Sequence, residues 1–256
     1  MMIRYRGRQY IAVPVPERYQ EGVFYHGTDN AETAKKILQA GELKPGRIYD
    51  DPASMESRAG QVYFTPDLYY ALAYTLGAHP SCEPGVLCKR GGRYGYLFVI
   101  PSGAVEDVLP DEDAVGRTLC AKNNYWLVDA LRKLTKDHRR EFEQILDRIQ
   151  ELQYEAYIED QADAGEEIDT FENYDYSFFD SLKQCLYPEV SVAGKFFLKY
   201  ADEELIEELL EEMEHSEALS HTGAVQFSEA WRFDKQRADK LAKDGSNFFE
   251  LAEQVR

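Results

Sequence analysis

Cysteine is scarce in this 256-residue chain: there are four, and only Cys82 and Cys88 lie near one another, with five residues between them. Metal and redox motifs keep about two to four residues between such a pair and add a second pair or histidines. Neither pattern is present, so no metal site is expected, and Cys82, Cys88, Cys120 and Cys185 read as small buried thiols of a reducing compartment. Long apolar runs are missing too. Nothing approaches the roughly 20 residues a membrane helix needs, and MMIRYRGRQY has no apolar core behind its basic residues to act as a signal peptide. A soluble, cytoplasmic protein with no membrane partner is expected. Arginine is absent from residues 151–217, where 21 acidic residues face three lysines, so this segment alone carries the net charge of −18. Such a block repels phosphate backbones and is not itself a nucleic-acid surface. As the solvated outer face of amphipathic helices it needs no partner; as a docking surface it suits a basic one.

A hydrophobic fraction of 44% with 13% aromatics is enough to build a core. Residues 2–16 alternate around an Arg-Gly turn and read as a hairpin or edge strand. Arg4, Arg6 and Arg8 cluster there, as a solvated edge. Val23-Phe24-Tyr25 forms a short strand running into His26-Gly27-Thr28. Asp29 or Asn30 then caps a helix over Ala31–Ala40, and Gly41 stops it. Gln61–Thr65 reads as a second strand, Pro66-Asp67 opens a helix over Leu68–Leu76, residues 78–93 are loop, and Tyr94–Ile100 is a buried strand. Helical spacing then runs over Ala114–Leu134, Asp137–Ala164 and Glu203–Glu214, with mixed structure over 165–202. His138, His215 and His221 have no metal-like partners there. Ala224–Phe233 returns to strand chemistry before a helix from about Lys235. A late strand after a helical block pairs with the early ones, so the chain reads as one α+β domain, residues 1–256, with an acidic, mostly helical insertion over 111–217.

Three pieces carry chemistry together where each alone would be an ordinary turn, core tyrosine or surface acid. Tyr25-His26-Gly27-Thr28 ends a strand, Val62-Tyr63-Phe64-Thr65-Pro66-Asp67 precedes a helix containing Ala71 and Tyr74, and Phe227-Ser228-Glu229-Ala230-Trp231 places a carboxylate on a late strand. In this order, with 11 residues from Tyr63 to Tyr74, they resemble the ADP-ribosyltransferase superfamily, in the His-Tyr-Glu branch of diphtheria toxin and the poly(ADP-ribose) polymerases. The match covers about residues 23–76 with a weaker anchor at 225–233.

The resemblance implies a split β-sandwich core and NAD⁺ as co-substrate. It implies that Tyr63 and Tyr74 sandwich the nicotinamide, that Gly27 meets the carboxamide through its backbone, that His26 hydrogen-bonds a ribose hydroxyl and that Thr28 positions the ribose. Aromatic faces suit a cationic pyridinium, at roughly 0.5–2 kcal/mol each. Cleavage of the nicotinamide–ribose bond passes through an oxocarbenium-like state that a carboxylate at the 2′-OH stabilises. Glu229 is the candidate, with Gln226 as the substitute, and His26, Tyr63 and Glu229 form the catalytic set.

The leading expectation is therefore a mono-ADP-ribosyltransferase acting on a macromolecular acceptor, protein or nucleic acid, as a bacterial toxin or effector would, with the acidic block as a docking surface for a basic antitoxin or inhibitor. An NAD⁺ glycohydrolase uses the same pocket with water. An RNA 2′-phosphotransferase shares the opening strand and HGT but puts a histidine where this chain has Tyr63. A non-catalytic NAD⁺ or ADP-ribose-binding module keeps the fold without turnover.

Overall fold

The computed structural model describes residues 2–5, 8–45, 60–76, 92–121, 125–164, 177–184, 189–213, 219–235 and 252–256. Cys82, Cys88, Cys185, His215, Arg6 and the helix expected beyond Lys235 lie outside them; Cys120 is a half-buried thiol that forms no disulfide. Strands β1 (Met2–Tyr5) and β2 (Arg8–Ile11) pair as the expected hairpin. They are followed by β3 (Val13–Pro14), α1 (Glu17–Gln20), β4 (Val23–Thr28), α2 (Ala31–Ala40) and β5 (Glu42–Leu43). Asn30 caps α2 by accepting from the N–H groups of Glu32 and Thr33. Gly41 ends it in the left-handed region, φ 75°, which a residue with a Cβ adopts only at a cost.

Next come β6 (Gln61–Phe64), α3 (Leu68–Leu76), β7 (Tyr94–Pro101) and β8 (Asp107–Pro110). The helical segment comprises α4 (Glu112–Cys120), α5 (Tyr125–Asp137), α6 (Arg139–Ala164), α7 (Phe178–Lys183), α8 (Glu189–Tyr200) and α9 (Glu203–Glu212). The periodicity over 114–134 is thus two helices rather than one. The mixed stretch 165–202 contains α8, which is buried on nearly every side, so its sequence VSVAGKFFL shows no polar stripe to mark it as helical.

After α9, β9 (Leu219–Thr222), β10 (Val225–Gln226), β11 (Glu229–Asp234) and β12 (Ala252–Gln254) complete the sheets. The segment expected as one strand over 224–233 is two, broken at Phe227-Ser228: β10 pairs with β5, and β11 with β7 and β12. The chain is α+β. Two four-stranded antiparallel sheets, in the orders β12-β11-β7-β4 and β3-β8-β9-β6, meet at an isolated bridge between Tyr25 and Thr65. One contiguous apolar cluster runs from Phe24, Phe98 and Ala230 of the first sheet through Val62 and Leu219 of the second to Leu127, Phe196 and Ile206 of the helical segment. A separate cluster joins Ala71, Leu72 and Leu76 of α3 to Leu97 and Phe233 on the opposite face of the first sheet. Among the described residues no helix is long and apolar enough to cross a membrane.

Helices α4 and α8 cross back to back through glycine. A Cβ on Gly194 would stand 1.7 Å from the Glu112 carbonyl oxygen, and one on Gly116 2.0 Å from that of Val190. These are backbone obstacles, so relief requires the helices to part. Gly194→Ala should therefore lower stability by about 2 kcal/mol or more, whereas Gly103→Ala, whose Cβ meets nothing within 4 Å, should stay within about 0.5 kcal/mol of wild type. Parallel denaturant melts of the two variants check this; equal midpoints would refute the close crossing.

Candidate active site

The site forms where two strands that begin as partners separate. Tyr25 and Thr65 exchange both backbone hydrogen bonds, N to O at 2.7 and 3.0 Å. In an antiparallel ladder, alternate residues direct their N–H and C=O to the same side. Gly27 therefore presents its backbone to the edge that Tyr25 uses, but there β6 has turned away. The gap is spanned by a side chain: His26 Nδ1 lies 2.7 Å from the Tyr63 carbonyl oxygen. A carbonyl only accepts, so Nδ1 carries the proton and Nε2 keeps its lone pair. Desolvation pulls the imidazole pKa below the usual range and outweighs the opposing effect of the Tyr63 bond, which keeps the ring neutral.

Helix α3 closes the other side. A Cβ on Gly27 would come within 2.1 Å of the Ala71 carbonyl oxygen and 2.7 Å of Thr75 Oγ1. Glycine is thus demanded here by helix–strand packing as well as by any approach of a ligand. This packing brings Tyr70 and Tyr74 to the gap. Their rings meet edge to face at 5.4 Å, and their hydroxyls lie 3.4 Å apart. Desolvation and then the Tyr70 neighbour raise the Tyr74 phenol pKa, although the residue keeps 39% of its surface exposed.

The resulting cavity, about 180 Å³, is lined by Tyr25, His26, Gly27, Tyr63, Tyr74 and Asp111, among others. His26, Gly27 and Tyr63 also line a second cavity of about 490 Å³. There Thr28, Thr33, Lys36, Glu42 and Lys44 surround apolar Ile37 and Leu43. Four of the residues expected from the sequence to bind nicotinamide and ribose, His26, Gly27, Tyr63 and Tyr74, therefore converge, and Thr28 stands in the adjoining space.

Glu229 does not join them. Tyr25, Val99 and Glu229 occupy one row across β4, β7 and β11, and His26, Phe98 and Ala230 the next, so Glu229 points to the face opposite His26, the face it shares with the cavity-lining Tyr25. Two strand spacings, about 10 Å, also separate the Glu229 backbone from β4. Its carboxylate accepts from Trp231 Nε1 at 3.0 Å, and its charge reaches the Tyr25 phenol, whose pKa is raised chiefly by burial and secondly by Glu229. Gln226 lies in the β5–β10 ribbon and donates to Glu42 at 3.1 Å. Neither residue stands beside His26 in this register: the break at Phe227-Ser228 resets the alternation of faces assumed for a continuous strand.

The carboxylates at the cavity come instead from the start of α4. Asp111 lines it at 8% exposure, and Glu112, 1% exposed, accepts from the Tyr63 hydroxyl at 3.1 and 3.3 Å. Asp111 is also the helix N-cap, accepting from Asp113 and Ala114 N–H through Oδ1. Burial, then the neighbouring Glu112 and Asp113 charges, push its carboxyl up to about 7, against the pull of the Ala114 N–H and Arg117. Burial likewise raises Asp113. The sequence signal was present as Pro110-Asp111-Glu112-Asp113, an N-cap directly after a strand, but it reads as the first turn of the insertion. His221, without a partner in sequence, bonds Asp107 at 2.9 Å outside this cavity. No cluster of three or more potential metal ligands exists among the described residues. No family model, no curated protein and no solved structure matches the chain.

Asp111 gives the site a measurable pH signature. The native state holds its proton up to about pH 7, whereas an unfolded chain releases it near pH 4. Between those values the native state binds more protons, so this contribution to stability is complete below about pH 4 and is lost as pH rises through 7. Asp111→Asn keeps the cap and removes the titration. Relative to wild type the variant should gain roughly 1–3 kcal/mol between about pH 4.5 and pH 8; melts whose difference is flat with pH would contradict the assignment.

Proposed function

We propose that the protein binds NAD⁺ at this double cavity, breaks the nicotinamide–ribose bond and transfers ADP-ribose to a macromolecular acceptor, on an ADP-ribosyltransferase-like split β-sandwich. The observation that carries this reading is the meeting of His26 and Gly27 from β4, Tyr63 from β6 and Tyr74 from α3 around one ring-sized cavity. These are the residues whose order and spacing resemble the family's nicotinamide site, and nothing in a hydrophobic core requires them to meet at a gap.

In this reading the pyridinium lies between the Tyr63 and Tyr74 rings, and its carboxamide pairs with the outward N–H and C=O of Gly27. The lone pair on His26 Nε2 accepts from a ribose hydroxyl. The adenosine diphosphate portion extends into the larger cavity, where Lys36 suits the diphosphate and Lys44 reaches it by leaving Glu42, its partner at 3.4 Å. The glycosidic C1′–N bond breaks with both electrons passing to the ring nitrogen, which leaves neutral nicotinamide. The carboxylate role expected for Glu229 passes to Asp111, which accepts from the 2′-OH and stabilises the cationic C1′. Glu112 acts on the ring clasp by holding the Tyr63 hydroxyl. A lone pair on the acceptor then closes on C1′, and its proton leaves to water.

The test is release of nicotinamide from labelled NAD⁺ with cell extract, followed by separate protease and nuclease digestion to find the acceptor; a glycohydrolase would leave free ADP-ribose alone. Tyr74→Ala should raise KM for NAD⁺ by about 2- to 30-fold. Asp111→Asn should lower kcat by about 10²-fold or more, while Glu229→Gln should change it by less than about threefold. Absence of nicotinamide release under every condition defeats the proposal. Loss of turnover in Glu229→Gln alone returns the carboxylate role to β11.

A further inference from the structure

The smaller cavity puts a buried carboxylate among phenol rings, and that pairing has a binding chemistry of its own. Asp111 Oδ1 is taken by two helix N–H groups, whereas no described residue hydrogen-bonds Oδ2. The residue is 8% exposed and lines a cavity of about 180 Å³. Tyr25, Tyr63, Tyr70 and Tyr74 complete its walls. Aromatic faces attract cations through their quadrupole, and a desolvated anion with an unused oxygen attracts them by charge. A flat organic cation meets both demands at once; a neutral ring of the same shape meets neither.

We propose that this tyrosine–aspartate cavity is a proton-gated receptor for monocyclic organic cations, N-alkylpyridinium ions above all, which it separates from neutral rings by charge. The inference shares its cavity with the proposed reaction but does not depend on any bond being broken. Ionised Asp111 supplies the counter-charge to an entering cation. Protonated, it offers none, and the ligand then faces the Arg117 cation, which bonds the Tyr70 hydroxyl at 3.4 Å. Because burial and its acidic neighbours hold a proton on Asp111, an entering cation displaces that proton, and binding and proton release are linked.

Other titratable groups surround Asp111. From β4 come Tyr25 and His26, from β6 Tyr63, and from α3 Tyr70 and Tyr74. Glu112, Asp113 and Arg117 stand on its own helix, and Lys195 of α8 acts on Asp113. Burial favours the neutral forms of Tyr25, Tyr74 and His26. Asp113 titrates in wild type and in Asp111→Asn alike, so comparing the two isolates Asp111.

The measurement is calorimetric titration of the full chain with 1-methylnicotinamide, a cation, and with nicotinamide, its neutral counterpart. Affinity for the cation should rise on the order of tenfold between about pH 6 and pH 8.5. At about pH 6, titrations in two buffers of different ionisation enthalpy should show proton release approaching one per cation bound. Nicotinamide should bind at least about tenfold more weakly at the higher pH. Asp111→Asn should abolish both the pH slope and the proton release. Asp111→Ser, which also caps a helix, serves if the first variant does not fold. Equal affinity for the two ligands, or a slope that survives in the variant, overturns the proposal. Gated cation binding by a protein that leaves NAD⁺ intact upholds the receptor and removes the transferase reading.

Discussion

One pair of backbone hydrogen bonds, between Tyr25 and Thr65, fixes where the two sheets touch and where they part. Had β4 and β6 continued to pair, Gly27 would face Tyr63 across a closed ladder and no space would exist. Because β6 leaves after one bridge, the sheet edge at Gly27 opens, His26 reaches across to the Tyr63 carbonyl, and the opening becomes a cavity with a defined tautomer at its wall. The histidine bond does two things: it supports a backbone group that the ladder no longer satisfies, and it commits the imidazole to a neutral form with an outward lone pair.

The opening is held from outside by packing with little freedom. Helix α3 lies against β4 and β7 so closely that glycine is required at positions 27 and 95, where a Cβ would stand 2.1 and 1.7 Å from helix carbonyl oxygens. On the far side, the α4–α8 crossing at Gly116 and Gly194 fixes the backbone of Glu112 and hence its bond to the Tyr63 hydroxyl. The helical segment is therefore part of the site's support. It supplies the wall carboxylate and shares one apolar cluster with both sheets. Buried carboxylates are costly unless bonded. The cost at Asp111 is offset on one oxygen by the helix N-terminus, and the other oxygen remains available to a ligand.

Much of this was legible in the residues. The Asn30 cap and the Gly41 stop set the limits of α2, Pro66-Asp67 opened α3 at Leu68, and the run Tyr94–Ile100 announced a buried strand. Local signals sufficed there because caps, left-handed glycines and alternation act over a few residues. The signals failed where burial erased periodicity, as in α8, and where a short break changed the register, as at Phe227-Ser228. That break sends Val225 and Gln226 to β5 and turns Glu229 to the face of the first sheet opposite His26.

By itself the sequence determined the tyrosine spacing, the His-Gly-Thr strand end, the α+β alternation and the placement of negative charge, since each is a local property of neighbouring residues. Only the tertiary structure decided which carboxylate stands at the cavity. Asp111 and His26 are 85 positions apart in the chain. They are brought together because α4 begins where β8 ends next to β9, whose other neighbour is β6, while Glu229, in the same sheet as His26, lies two strands away from β4 and on the face opposite His26. Facing is set by register across strands, and register is a property of pairing that no single segment contains.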